Sequence, residues 1–378
     1  MFGRTFRLPF RLVGIPLDVD MSFLVILPIM AWLIGSRVGA LAQLWGIPAS
    51  HMLESGAIPY VLGLIAALGL FICVVLHELG HSVVARTFGV KVRSITLWFL
   101  GGVAKLEEIP RKAGAEAIVG IAGPIVSLVL AAICWGLLVA IPQNPGVDFI
   151  LAYLAVMNVT LAIFNMIPAL PLDGGRVLRS ILALFMSYTG ATRVAVVVSQ
   201  VLAVAMGLFA LFTGQWFLLL VALFIYMAGR AETQATNVEE LLAGAHVSDL
   251  MTAPAQGVPP ELSVEELSHR VLHAHHHTFP VVDEAEHVLG VVSVRNMVNQ
   301  PPGAHVAEIM TTPVATVTPA ADAAAAYKQM RENDLDLLVV TDSARRLLGV
   351  LTRMDILRLM QLRSMAAGVF RRQHVRPA

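Results

Sequence analysis

Residues 60–81 read YVLGLIAALGLFICVVLHELGH. No charged side chain occurs from Tyr60 to Leu76, after which His77, Glu78 and His81 fall close together. An apolar run of this kind is a candidate membrane span. An ionisable group near the centre of a span costs on the order of 2.5–3.5 kcal/mol on insertion scales, so such a cluster needs a reason. On a helix, His77 and His81 stand four residues apart on one face and are able to grip one zinc ion. Glu78 lies beside them, placed to take a proton from a zinc-bound water. The alternative is a surface-end cluster snorkelling into the headgroups.

The surrounding composition fits a membrane protein. Of 378 residues, 57% are hydrophobic and 14% charged, against about 45–50% and 25% in soluble domains. This excludes a disordered or fibrous chain and an ordinary soluble enzyme. The charge is uneven. Before Ala231 there are 14 Lys+Arg and 9 Asp+Glu, and from Ala231 onward 12 and 17. A greasy, basic front therefore precedes an acidic, soluble back. Spans are expected near Met21–Ile34 with its flanks, Tyr60–Leu76, Ala115–Ile141, Phe149–Ile167, Ala191–Phe212 and Trp216–Met227, the last running on to Gly229.

Six spans put both termini on one side. Arg86, Lys91, Arg93, Lys105, Arg111, Lys112, Arg176, Arg179, Arg193 and Arg230 fall on the N-terminal side, and Arg37 is the clearest charge opposite. The positive-inside rule then makes both termini cytoplasmic, in the cytoplasmic (inner) membrane. Arg4, Arg7 and Arg11 precede an apolar stretch without a cleavage pattern, which suits an uncleaved first span. Cys73 and Cys134 lie in apolar runs and imply no disulfide framework. No basic stripe with interleaved aromatics suggests a nucleic-acid partner.

A catalytic zinc needs a third protein ligand and an open position. The candidate is Asp173, in Asn165-Met-Ile-Pro168-Ala-Leu-Pro171-Leu-Asp173-Gly174-Gly175-Arg176. The prolines and paired glycines break the helix at the end of span four and free backbone groups to line a polar site. Alone, this stretch would be a turn with an Asp cap. Asn158, seven residues before Asn165, serves either the site or a helix–helix hydrogen bond.

With these two motifs, residues 10–230 resemble the site-2 protease family of intramembrane zinc metalloproteases. The resemblance implies that His77, His81 and Asp173 bind zinc and that Glu78 is the general base. It also implies that Asn165 donates to the oxyanion or to the substrate backbone. The implied activity is endopeptidase cleavage of transmembrane segments of single-pass membrane proteins, as in regulated intramembrane proteolysis. Between spans two and three, Gly89–Leu106 is rich in β-branched and aromatic residues with a Gly101-Gly102 break. It reads as a strand pair, which a substrate could extend as an added strand, or as a plain loop. Phe10–Asp20 alternates loosely and suggests a short strand.

The back half contains a repeat. With His246 set against His305, two copies run at a constant offset of 59 without a gap, matching Met251/Met310, Thr252/Thr311, Pro254/Pro313, Asp283/Asp342 and Gly290/Gly349. The repeat resembles a pair of cystathionine β-synthase-type (CBS) domains, which associate face to face and suggest a homo-oligomer. In nucleotide-binding members, a hydroxyl residue followed three later by Asp contacts phosphate and ribose. Thr352 and Asp355 fit this pattern for ATP, ADP or AMP, whereas Ser293 and Asn296 carry Asn in place of Asp. The run His273-Ala-His275-His276-His277 invites a metal reading, but no carboxylate or Cys stands at ligand spacing, and a solvated face accounts for it better.

The expected architecture is a mainly α polytopic membrane protein with a cytosolic α/β tandem CBS domain. Its parts are a six-span metalloprotease domain (1–230), a linker (231–243), CBS domains at 244–303 and 304–363, and a basic tail (364–378). Arg371, Arg372 and Arg376 of that tail either touch anionic membrane lipid or lie in a disordered end. The CBS pair is expected to regulate activity. The rival functions are a catalytically silent, ligand-sensing membrane protein and a CBS-gated transporter.

Overall fold

The computed structural model describes residues 5–48, 50, 56–98, 101–106, 114–141, 144–273, 278–298, 300–301 and 303–373. The chain divides into two compact units, Met1–Gln234 and Ala235–Ala378.

The first unit opens with β1 (Thr5–Leu12) and β2 (Ile15–Asp20), an antiparallel pair where one short strand was expected. Val13 and Gly14 turn the chain with positive φ. Asp20 then caps α1 (Met21–Gly35), its Oδ1 accepting the Ser22 N–H at 2.9 Å. The first span differs from expectation. α1 has 15 residues, roughly 22 Å at 1.5 Å per residue, short of the ~30 Å hydrocarbon core. It bends by 55° into α2 (Val38–Leu44). Among the described residues, five helices are individually long and apolar enough to cross a membrane, or six if the bent pair is one span.

The other helices of this unit are α3 (Ile58–Thr87), α4 (Ala115–Ala140), α5 (Pro145–Asn165), the short α6 (Asp173–Leu182) and α7 (Tyr188–Thr213), and α8 (Trp216–Leu242) starts in it and ends past its boundary at Gln234. Small residues fill the bundle: Ala66, Ala67, Ala131, Ala152, Ala155, Ala195 and Ala203 are buried, while Ile72, Ile133, Val201, Phe212 and Phe217 are exposed. That inversion suits helices packed in lipid, where close backbone approach replaces the hydrophobic drive.

Gly89–Leu106 contains β3 (Val92–Trp98) and β4 (Gly101–Leu106), an antiparallel pair as expected. The sheet order is β1-β2-β3-β4, with β2 and β3 parallel. Ile15, Leu17, Ile95 and Leu97 pack on Phe71 and Val75 of α3, which seats the sheet one turn before His77.

Residues 231–243, read as a linker, are helical as far as Leu242, because no Gly or Pro interrupts them before Gly244. Gly244 ends the run with φ +70°.

The second unit repeats with the 59-residue offset. α9 (Val264–His273), β5 (Thr278–Val282) and β6 (Val288–Ser293) correspond to α12 (Ala323–Glu332), β8 (Leu337–Thr341) and β9 (Leu347–Thr352). The short α10 (Val294–Met297) and α11 (Val306–Ile309) and strand β7 (Thr316–Val317) lie between, and α13 (Arg353–Gln373) closes the chain. The copies exchange their leading segments: the Thr252 N–H donates to the Val350 carbonyl at 2.8 Å, and the Thr311 N–H to the Val291 carbonyl at 2.8 Å. The segment read as a basic tail is helical to Gln373, and residues 374–378 lie outside the described ones.

Candidate metal centre

His77 and His81 lie on one face of α3, both 3% exposed. Asp173 arrives from 92 residues away in sequence as the first residue of α6. Its Oδ2 stands 3.1 Å from His81 Nε2 and 3.3 Å from His77 Nε2, and the two Nε2 atoms are 3.2 Å apart. Among the described residues this is the one group of three His, Cys, Asp or Glu side chains able to share a metal ion. The spacing fits zinc: tetrahedral ligands at 2.0–2.1 Å from a metal stand roughly 3.3 Å from each other. Two nitrogens and one carboxylate oxygen occupy three corners of such a tetrahedron.

The helix break places Asp173. α5 ends at Asn165, and Ala169 and Leu170 are buried in the turn that follows. Ser199 of α7 accepts the Leu170 N–H at 2.7 Å. A Cβ on Gly174 would stand 2.5 Å from the Ile167 carbonyl oxygen, and one on Gly175 2.7 Å from that of Ala169. The paired glycines therefore allow α6 to start against the turn it leaves.

α4 orients both imidazoles, a role the sequence reading missed. His81 Nδ1 lies 2.7 Å from the Val119 carbonyl, which only accepts, so Nδ1 carries the proton and Nε2 turns its lone pair towards Asp173. His77 Nδ1 lies 2.9 Å from Ser127 Oγ. Between them, a Cβ on Gly123 would stand 2.7 Å from His77 Nε2 and closer still to His81 Nε2. Val119, Gly123 and Ser127 follow at intervals of four, one face of one helix.

Glu78 is half-buried, and its Oε2 accepts the Ala104 N–H of β4 at 3.1 Å. Ala104 pairs with Ile95 and Gly102 with Leu97 in register. The Ala104 amide points at Glu78 and so away from β3, and by the period of two Gly102 faces the same way. Among the described residues β4 ends the sheet order, so this is its outer edge. Asn165 is not joined to the three ligand atoms by a hydrogen bond among the described residues: its Nδ2 donates to the Leu161 carbonyl at 3.0 Å. Asn158 is buried and likewise donates to its own helix, to Leu154 at 2.8 Å.

In the second unit, Asp355 Oδ2 accepts the Thr352 N–H at 2.9 Å and the Thr352 hydroxyl at 2.6 Å. Asn296 Oδ1 accepts from Ser293 with the same two distances. These are helix caps. Thr252 and Thr311, matched in the repeat but not read from sequence as site residues, reach each pair from the other copy: Thr252 donates to Asp355 Oδ1 at 3.5 Å, and Asn296 Nδ2 donates to Thr311 at 3.2 Å. Their identical Met-Thr settings in the repeat were the available signal. Residues 274–277 of the histidine run lie outside the described ones.

The sequence matches Peptidase family M50 over residues 65–144 and 143–209, and the CBS domain family over 247–302 and 306–362. It is 31% identical to Zinc metalloprotease MJ0392 of Methanocaldococcus jannaschii across 93% of this chain and 95% of the relative. It is 34% identical to Putative zinc metalloprotease Rip3 of Mycobacterium tuberculosis (strain H37Rv) across 76% of this chain and 74% of that one. A solved site-2 protease from Methanocaldococcus jannaschii shares 33% identity over 61% of this chain and 95% of its own, with a TM-score of 0.44. By near-full-length likeness to a zinc metalloprotease and by both family matches, the chain belongs to peptidase family M50, the site-2 proteases, and is a zinc metalloprotease carrying a C-terminal CBS pair.

Proposed function

We propose that His77, His81 and Asp173 hold the zinc ion, that Glu78 is the general base, and that the substrate is the transmembrane segment of a single-pass membrane protein. The convergence of Asp173 Oδ2 on both Nε2 atoms at 3.1 and 3.3 Å carries this reading. Zinc, when bound, polarises a carbonyl and lowers the pKa of water to about 7. Glu78 takes the proton from the attacking water and delivers it to the leaving amine. A helical substrate must unwind before its peptide bond is accessible, because its backbone groups are already paired. The outer edge of β4 at Gly102, next to the Ala104 amide already bonded to Glu78, offers an unwound segment a strand to pair with. Asn165 acts as a donor to the oxyanion or substrate backbone after turning from Leu161.

The enzyme sits in the cytoplasmic membrane with both termini cytoplasmic, as the distribution of Lys and Arg supports. The functional division is residues 1–230 for proteolysis and 244–303 with 304–363 for regulation. The CBS pair responds to an adenine nucleotide at Thr352 and Asp355, with Ser293 and Asn296 the weaker site, and joins two copies of the chain. Purified protein given a single-span protein tagged at both ends tests the substrate class. A product ending inside the span is expected; products ending only outside it contradict the reading.

A further inference from the structure

We propose that Arg179 and Glu232 are positioning residues for Asp173, and that through them the zinc ligand answers to α8. The proposal rests on the assignment of Asp173 to zinc. Arg179 is 6% exposed, deep burial for a permanent cation. It binds Glu116 of α4 twice, through Nε at 3.2 Å and through Nη2, and its Nη1 binds Glu232 of α8. Arg176 adds a second cation 3.7 Å from Glu116. The guanidinium carbon also lies 5.1 Å from the ring centroid of Tyr188, at the start of α7. One side chain of α6 thus touches α4, α7 and α8. Only a planar, forked cation serves two carboxylates in this way.

α6 has ten residues with Asp173 first, and Arg179 follows it by roughly 9 Å along the axis. A helix this short moves as one piece, so where Arg179 is held decides where Asp173 stands. On its other side, α8 continues past Glu232 to Leu242, which is fully buried among Val247, Leu338 and Leu351 in the second unit. α8 thus carries Glu232, ion-paired to the ligand helix, and ends at Leu242. Glu116 fixes α6 to α4, the helix that also holds His77 and His81, while Glu232 is the tie that a movement of α8 would pull.

Full-length wild type, Glu232→Gln and Arg179→Lys are compared without nucleotide for zinc release to a chelator and for amide hydrogen exchange along α6. Both variants are expected to release zinc about tenfold faster, the lower end of the effect of losing a supporting partner, with faster exchange confined to residues 173–182. Wild-type behaviour in both variants overturns the proposal. So does faster exchange spread evenly over all helices, which would make the pairs general supports. Addition of ATP is expected to change exchange in α6 of wild type and not of Glu232→Gln. ATP without effect on the CBS strands refutes the nucleotide reading alone, and the nucleotide-free comparison still decides this one. Absence of zinc from wild type refutes the metal assignment, and exchange in α6 still reports whether Glu232 holds that helix.

Discussion

Ser127 of α4 holds His77 of α3 from behind, Oγ standing 2.9 Å from Nδ1, while the opposite ring nitrogen faces Asp173. A hydrogen bond on the outer nitrogen, whichever partner donates, fixes the ring plane before a metal binds. Ser127→Ala should weaken zinc binding about 10-fold, within the 10–100-fold usual for such partners. Competition with a chromophoric chelator reads this directly. Unchanged affinity would mean that packing alone orients the ring.

Gly123→Ala should abolish zinc binding, because the added methyl would stand 2.7 Å from His77 Nε2 and 2.6 Å from His81 Cε1. Gly136→Ala, in the same helix and facing open space, should retain zinc and gain about 0.8–1.0 kcal/mol of helix propensity. Zinc content of the two proteins, each with its thermal midpoint, separates lost binding from lost fold.

Ala104→Pro removes the amide that binds Glu78 while leaving the pairing with β3, since that amide points outward and edge strands tolerate proline. A hydrogen bond to a charged group contributes about 1.5–3 kcal/mol, so cleavage should fall by roughly one to two orders of magnitude. Zinc should stay bound. Equal cleavage by variant and wild type would remove the Ala104–Glu78 hydrogen bond from the reaction.

Asp283 and Asp342 occupy matched turns of the two CBS copies. The backbone N–H of His287 is the leading cause that lowers the pKa of Asp283, and that of Arg346 does the same for Asp342. A carboxyl lowered in the folded state stabilises above its unfolded pKa, about 3.9, and that stability is lost as pH falls through the lowered value. The thermal midpoint of the second unit should therefore drop on acidification below about pH 4. Asp283→Asn with Asp342→Asn should flatten that drop. An unchanged acid limb would assign it to other carboxylates.

The parts legible in the sequence were those under chemical or periodic constraint. His77, Glu78, His81 and Asp173 stood out because ionisable groups in apolar surroundings need compensation, and the CBS copies because every element repeats at one offset. The bent α1–α2 pair was read as one span, since hydropathy carries length but not direction. Val119, Gly123 and Ser127 look like any small-residue stripe that packs helices, and only the fold brings them against the imidazoles. Glu116, Arg179 and Glu232 are separated by at least 53 residues, and nothing local pairs them. The length of α8 was underestimated because the charge shift at Ala231 changes solubility without breaking a helix.

The central claim is that one zinc, held by His77, His81 and Asp173, works with Glu78 to cut a membrane-embedded peptide bond. Its most direct test is cleavage of a tagged single-span protein by purified wild type and Glu78→Gln, with zinc measured in both. Zinc in both proteins and product from wild type alone is the expected result. Absence of zinc from the wild type, or cleavage that survives Glu78→Gln undiminished, would contradict it.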